Sequence, residues 1–281
     1  MKHRIDPKVD CVFKAVLGAE GNRNLLAHFL NAVLANDLSA PIIGVDILNP
    51  YNDPEFLDDK LSIVDVKAQD QQGRIYQIEI QLAGYRHLPA RIAYTWADLY
   101  GGQLHSGEDY AALRPTYAIW LLAEDLFEDA DYARDFQSRD GRGRLLLAHG
   151  GIWVLELNKF TAERVATEQQ RWLKFFKDGA RLDEAALPDW MDTTEMRQAM
   201  NTLRQFSEKD RDYHAYQARQ NYLREQRTIQ KEREEVQKAL EQERQEKQAA
   251  LQEKQAALQE KQAALQEKQA ALQEKQAALQ E

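Results

Sequence analysis

The sequence has almost no cysteine: one residue, Cys11, in 281. A single thiol cannot close an internal disulfide or anchor a cysteine metal site, so a reducing cytoplasm is the expected setting. There is no run of ~18 apolar residues, which leaves no candidate for a membrane-spanning helix. The first 20 residues carry charges throughout and contain no apolar core, so no secretory leader is expected. The six histidines show no metal-ligand spacing. Positive charge is also in short supply. The net charge is −9, and the last 71 residues hold 13 basic and 13 acidic side chains, leaving 24 against 33 in residues 1–210. Neutralisation of phosphates drives most nucleic-acid binding. A nucleic-acid role for so acidic a body must therefore rest on local basic patches, on a bound cation, or on both.

Proline, glycine and aromatic residues are all missing after Tyr222. What stands there is a seven-residue repeat, LQEKQAA, in phase at Leu251, Leu258, Leu265, Leu272 and Leu279. Every residue type in the unit is a good helix former, so a long helix is predicted from about Asp210 onward. A coiled coil needs apolar residues at both seam positions of the heptad. Here Lys254 and Gln255 follow Leu251 by three and four residues, so one seam position is polar. The tail reads as a weak helix built by tandem duplication, able at most to self-associate.

Apolar residues make up 43% of the whole chain, so the body, 1–210, can hold a sizeable core. Helices are predicted over residues 8–17, 22–35, 88–105, 163–177 and 189–208. Strands are predicted over 43–48, 61–68, 74–82, 117–122 and 152–157. A polar loop with Gly73 makes the second and third strands a hairpin. Helices mixed with a hairpin and later single strands point to an α/β layer fold around a mixed sheet.

The informative stretch is KLSIVDVKAQDQQGRIYQIEIQL, residues 60–82. Alternation puts Ile63, Asp65 and Lys67 on one face of the first strand, and Gln77, Glu79 and Gln81 on one face of the second. A turn centred near Gln72 sets Asp65 opposite Glu79, Lys67 opposite Gln77 and Ile63 opposite Gln81. Facing carboxylates repel unless a cation lies between them, and hard divalent ions such as magnesium take carboxylate oxygens. The bland alternative is a solvent-exposed polar face, which on spacing alone is the commoner outcome.

Asp65 followed by Glu79-Ile80-Gln81 resembles the PD-(D/E)XK nuclease signature, with Gln in place of the final Lys. Further blocks resemble one branch of it, the recombination-promoting nuclease/transposase (Rpn) family. They are Asp10-Cys11-Val12-Phe13-Lys14, Leu30-Asn31-Ala32-Val33-Leu34, Arg91 with Tyr94-Thr95-Trp96, Leu99-Tyr100, Gln103-Leu104 and Gly107, and Leu155-Glu156-Leu157-Asn158-Lys159-Phe160. The resemblance covers about residues 5–160. It implies a restriction-endonuclease-like mixed sheet flanked by helices, here followed by the helical heptad-repeat tail. It implies Mg²⁺-dependent (or other divalent-cation-dependent) DNA cleavage linked to recombination or to defence against foreign DNA. Asp65 and Glu79 would hold the metal and Gln81 would orient the attacking water, since an amide has no proton to exchange as a base. Asp10 and Lys14, four apart on a predicted helix, and Gln103 are supporting candidates. Asp10 and Lys14 read equally as a plain helical ion pair. The three arginines of SRDGRGR, Arg139, Arg142 and Arg144, read as an exposed turn. The expected partners are DNA and a second copy of the chain, through the body or the tail. The competing reading is a catalytically degenerate nuclease fold that serves as an interaction protein. The expected division is a nuclease-like domain over 1–210, its helical remainder at 161–210, and a tail over 211–281.

Overall fold

The computed structural model describes residues 1–49, 51–52, 62–183 and 185–277. The chain forms two compact units, Met1–Asn221 and Tyr222–Glu281. Among the described residues, no helix is long and apolar enough to cross a membrane.

The first unit is built on a six-stranded sheet. Its strands are β1 (Val45–Leu48), β4 (Val66–Asp70), β5 (Ile75–Gln81), β6 (Thr116–Leu122), β7 (Ala133–Phe136) and β8 (Gly150–Glu156), in the order β1-β4-β5-β6-β8-β7. The β1, β4 and β5 strands run antiparallel, β5, β6 and β8 run parallel, and β7 returns antiparallel on the edge. Two short strands, β2 (Tyr51–Asn52) and β3 (Ser62–Ile63), pair separately.

Alternation along the strands divides the core. Tyr76, Ile78, Ile80, Tyr117, Ile119, Leu121, Trp153 and Leu155 point into the larger cluster, under α1 (Asp10–Leu17), α2 (Arg23–Val33), α4 (Glu168–Asp178) and α5 (Thr194–Glu208). Ala118, Trp120, Leu122 and Val154 point the other way, into a smaller cluster closed by Leu88 and Ile92 of α3 (Leu88–Gly101). All seven residues of β6 are buried, as expected of a parallel strand covered on both faces. Gly150 opens β8 at φ +85°, where a Cβ would lie 2.1 Å from the Thr116 carbonyl oxygen. Only glycine fits that approach. The last helix, α6 (Asp210–Ala277), begins in this unit. Its first turns meet the N-terminal segment: the His3 and Tyr213 rings stack at 3.7 Å, and Tyr216 Oη accepts from the Asp6 amide.

Most predicted elements have counterparts, with shifted ends. The α4 and α5 helices start later than their apolar periodicity suggests, because Thr167 and Thr193 cap them by accepting from Gln170 and Met196 N–H. The α3 helix stops at Gly101, so Gln103 lies beyond it rather than on it. The edge strand β7 was not predicted; ARDF is short and polar. The predicted strand over 61–68 is two strands: β3 turns away to pair with Tyr51 and Asn52, and β4 begins at Val66. Ile63 therefore faces Tyr51, not Gln81. Leu61 lies outside the described residues.

Candidate active site on the central hairpin

The β4–β5 hairpin keeps the register its turn dictates, with Val66 opposite Ile78 and Lys67 opposite Gln77. Asp65 is the residue just before this ladder. It is outside the paired residues, and its carboxylate bonds to the neighbouring strand: Oδ2 accepts from the Ile80 backbone N–H at 3.0 Å. That bond brings Asp65 to the next residue after Glu79. The same register continued by one step sets Asp65 opposite Glu79, and the Asp65 side chain bonds across the end of the ladder.

Glu79 is 3% exposed. It lies on the strand face covered by α3, not on an open polar face. Arg91 of α3 approaches Glu79 Oε2 at 3.9 Å, sits 5.4 Å from the Trp120 ring centre, and donates to Tyr85 Oη at 3.2 Å. Glu79 Oε1 has no hydrogen-bond partner among the described residues. Lys14 of α1 reaches the other carboxylate, with Nζ 3.2 Å from Asp65 Oδ1.

The electrostatics follow from this burial. Burial pushes the Asp65 carboxyl up, opposed by the Ile80 N–H and the Lys14 ammonium. Burial, and then the charge of Asp65, push Glu79 up to about 8, against the pull of Arg91. Two carboxylates in one low-dielectric site cannot both ionise cheaply. A divalent cation relieves both penalties at once. Two carboxylates, one of them with a buried oxygen that no donor satisfies, fit a hard ion, which commonly takes one or two carboxylates and fills its remaining positions with water and substrate oxygens. Among the described residues no group of three His, Cys, Asp or Glu side chains is placed to hold a metal. A hard ion seated here would take its protein oxygens from Asp65 and Glu79.

The other sequence candidates are placed as follows. Gln81 shares the Glu79 face, but its amide Nε2 donates to the Ala83 carbonyl at 2.9 Å, within the turn that ends β5. Asp10 does not pair with Lys14; its Oδ1 accepts from Arg219 of α6 at 3.0 Å and from the Cys11 N–H. Gln103 bonds to Arg114 and Thr116, at the opposite end of the parallel strands from Glu79. It braces the start of β6 and is not brought to the carboxylates. Asp140 of the arginine turn accepts from the Arg142 and Arg144 N–H groups and pairs with the Arg144 guanidinium.

Two residues at this site were given no part by the sequence reading. Arg91 stood in a matching block without a role, and its place over Glu79 depends on the docking of α3. Gln77 was set opposite Lys67, on the Glu79 face, with no role; it is fully buried, and neither its Nε2 nor its Oε1 has a partner among the described residues. The apolar spacing of Leu88 and Ile92 was the available signal that a helix covers this face.

No curated protein and no solved structure matches the chain. A family model described as PD-(D/E)XK nuclease family transposase does match, over residues 7–233. That span takes in the whole sheet, both carboxylates, Lys14 and Arg91. The chain belongs to the PD-(D/E)XK nuclease family transposases.

Proposed function

We propose that the protein is a divalent-metal-dependent DNA endonuclease, acting with Mg²⁺ in recombination or in defence against foreign DNA. The observation that carries this reading is the convergence of a buried carboxyl, Glu79, and a half-buried one, Asp65, at one end of the hairpin, with a cation, Lys14, beside Asp65. Asp65 and Glu79 would hold the metal. When bound, it would polarise the phosphodiester and make water a better nucleophile. Gln81 replaces the lysine of the family signature. A lysine is nevertheless supplied to the site, from α1 rather than from β5: Lys14 can donate to the attacked phosphate and hold negative charge as it develops. Asp10 and Arg219 hold the α1 side of the site in place. Arg91 neutralises Glu79 from the α3 side. Gln103 serves the scaffold.

The nuclease domain in this reading is residues 1–210, and residues 211–281 are a helical tail that sets self-association. Leu251 and Leu258, each 57% exposed, are the first two members of its stripe. The experiment is a plasmid-nicking assay in the cytoplasmic pH range with Mg²⁺, with chelator, and with Asp65→Asn. Nicking by wild type in Mg²⁺ alone supports the proposal. A second reading is favoured by the Gln81 amide, which is engaged with Ala83: a nuclease fold kept as an interaction module. Self-association without nicking at any salt or metal concentration would select it.

A further inference from the structure

The acidic composition of this chain makes the placement of each unneutralised cation informative. A cavity of about 210 Å³ opens beyond the last residues of β6 and β8, lined by Lys8, Asn158, Lys177, Asp178 and Arg181, with Ala123 and Leu157 at its strand-end wall. Two of the charges around it are already balanced. Lys8 pairs with Asp6 at 3.0 Å, and Asp178 pairs with Lys174 at 3.6 Å. Two are not. Lys177 donates to the Asn158 and Phe160 carbonyls at 3.1 and 2.6 Å, which fixes the ammonium without cancelling its charge. Arg181 makes no hydrogen bond or ion pair among the described residues. The cavity therefore presents two fixed or available positive charges, in a body whose net charge is negative.

Its position ties it to the carboxylate site. The Ala123 N–H donates to the Gln81 carbonyl at 2.9 Å, and the Leu157 N–H donates to the Leu122 carbonyl at 2.8 Å. The ends of β5, β6 and β8 thus lie in a row, with Glu79 two residues back from the first of them. Ligands of parallel sheets bind beyond the carboxyl ends of the strands. Glu79 stands beside Trp120 in the register, three residues before Ala123, so strand rise and spacing put the cavity wall at Ala123 ~11 Å from Glu79, a separation that phosphates one or two nucleotides apart on one strand can span.

We infer that this cavity seats a backbone phosphate of a nucleic-acid strand, flanking the phosphodiester held at Asp65 and Glu79, with Arg181 and Lys177 as its cations. The inference rests on the nuclease reading for the second phosphate, and its test separates the two. Binding of a fluorescein-labelled duplex DNA to full-length protein is followed by anisotropy across a salt series, in calcium and in chelator. Wild type is compared with Arg181→Glu, Arg181→Lys and Asn158→Asp, and with Lys238→Glu in the tail helix as a charge control. One lost phosphate contact lowers the slope of log K against log salt by ~0.9. The expected result is that Arg181→Glu and Asn158→Asp weaken binding several-fold and lower the slope by that amount, while Arg181→Lys and Lys238→Glu leave the slope unchanged. In nicking assays Arg181→Glu should raise KM with kcat retained. Unchanged affinity and slope in Arg181→Glu would overturn the subsite, as would an equal loss in Lys238→Glu, even if the protein cleaves DNA. A changed slope in a protein that never cleaves would leave the subsite standing and remove the nuclease reading instead.

Discussion

Lys14 Nζ stands 3.2 Å from Asp65 Oδ1, and not beside Asp10, its neighbour one turn back on α1. Asp10 is engaged by Arg219. Three basic side chains therefore meet the carboxyl groups of the site from three helices: Arg219 at Asp10, Lys14 at Asp65, and Arg91 at Glu79. If Lys14 serves the reaction, Lys14→Gln should lower kcat for nicking by ~10²-fold or more, the range of a lost proton-transfer or charge-stabilising group. Its side chain is 42% exposed, so the melting temperature should hardly move. Equal losses of activity and of melting temperature would mark Lys14 as a scaffold residue.

Glu79 gives the metal-free protein a pH dependence of definite sign. Its carboxyl is pushed up to about 8, first by burial and then by Asp65. The folded state therefore holds a proton that the unfolded chain releases near pH 4.5, and stability falls as pH rises from about 4.5 to about 8. Glu79→Gln should remove this slope and raise the urea midpoint at pH 8 in chelator. It should also abolish stabilisation by Mg²⁺. A variant with the wild-type slope would show that another group titrates.

The Gln77 amide is buried without a partner among the described residues. Desolvating an amide with no compensating bond costs ~1–3 kcal/mol. Gln77→Met keeps the length and removes the polar atoms, so it should stabilise the fold by about 1–2 kcal/mol, a rise of several degrees in melting temperature. Destabilisation of similar size would mean that the amide is bonded in solution.

Glu156 is the contrasting carboxylate. It too is buried, but Arg134 reaches it at 2.6 Å, Lys159 at 3.0 Å, and the Leu126 and Phe127 N–H groups donate to it. Burial alone would raise its pKa; these partners, the Leu126 N–H first, outweigh burial and hold the carboxyl below its usual range. Its contribution is present above the unfolded pKa and is lost as pH falls through the folded one. Glu156→Gln should cost ~3 kcal/mol at neutral pH, because it leaves buried Lys159 without its carboxylate and Arg134 with Asp129 alone. Denaturant titration at pH 7 and pH 3 checks both the size and the narrowing of the difference in acid.

Residues 245–281 should be dispensable for the first unit, which ends at Asn221. Helix stability in proteins comes mostly from tertiary burial, and one leucine stripe offers little. Truncation at Gln245 should leave the melting temperature within ~2 °C and the nicking rate per site intact, while lowering the mass in solution if the tail associates. A large drop in melting temperature at constant mass would contradict this.

Local rules sufficed for much of this protein. Alternation and the turn around Gln72 set the hairpin register, because side-chain period and loop length leave little freedom. The seven-residue repeat declared a helix former by composition alone. The blocks around Asp65, Glu79 and Lys14 carry the family resemblance in residue type and order alone. What periodicity could not carry was decided by packing between distant segments. Gln77 and Glu79 are buried because α3 docks through Leu88 and Ile92 onto their face, and no spacing within β5 encodes that cover. The strand over 61–68 breaks at Asp65 because β3 finds its partner in β2 and the Asp65 carboxylate takes the Ile80 N–H instead. Lys14 turns to Asp65 because Arg219, 209 residues along the chain from Asp10, claims the carboxylate that helical spacing had offered it. Local periodicity determines which residues share a face; which charges become neighbours, and which are cut off from water, is fixed only when the helices close over the sheet.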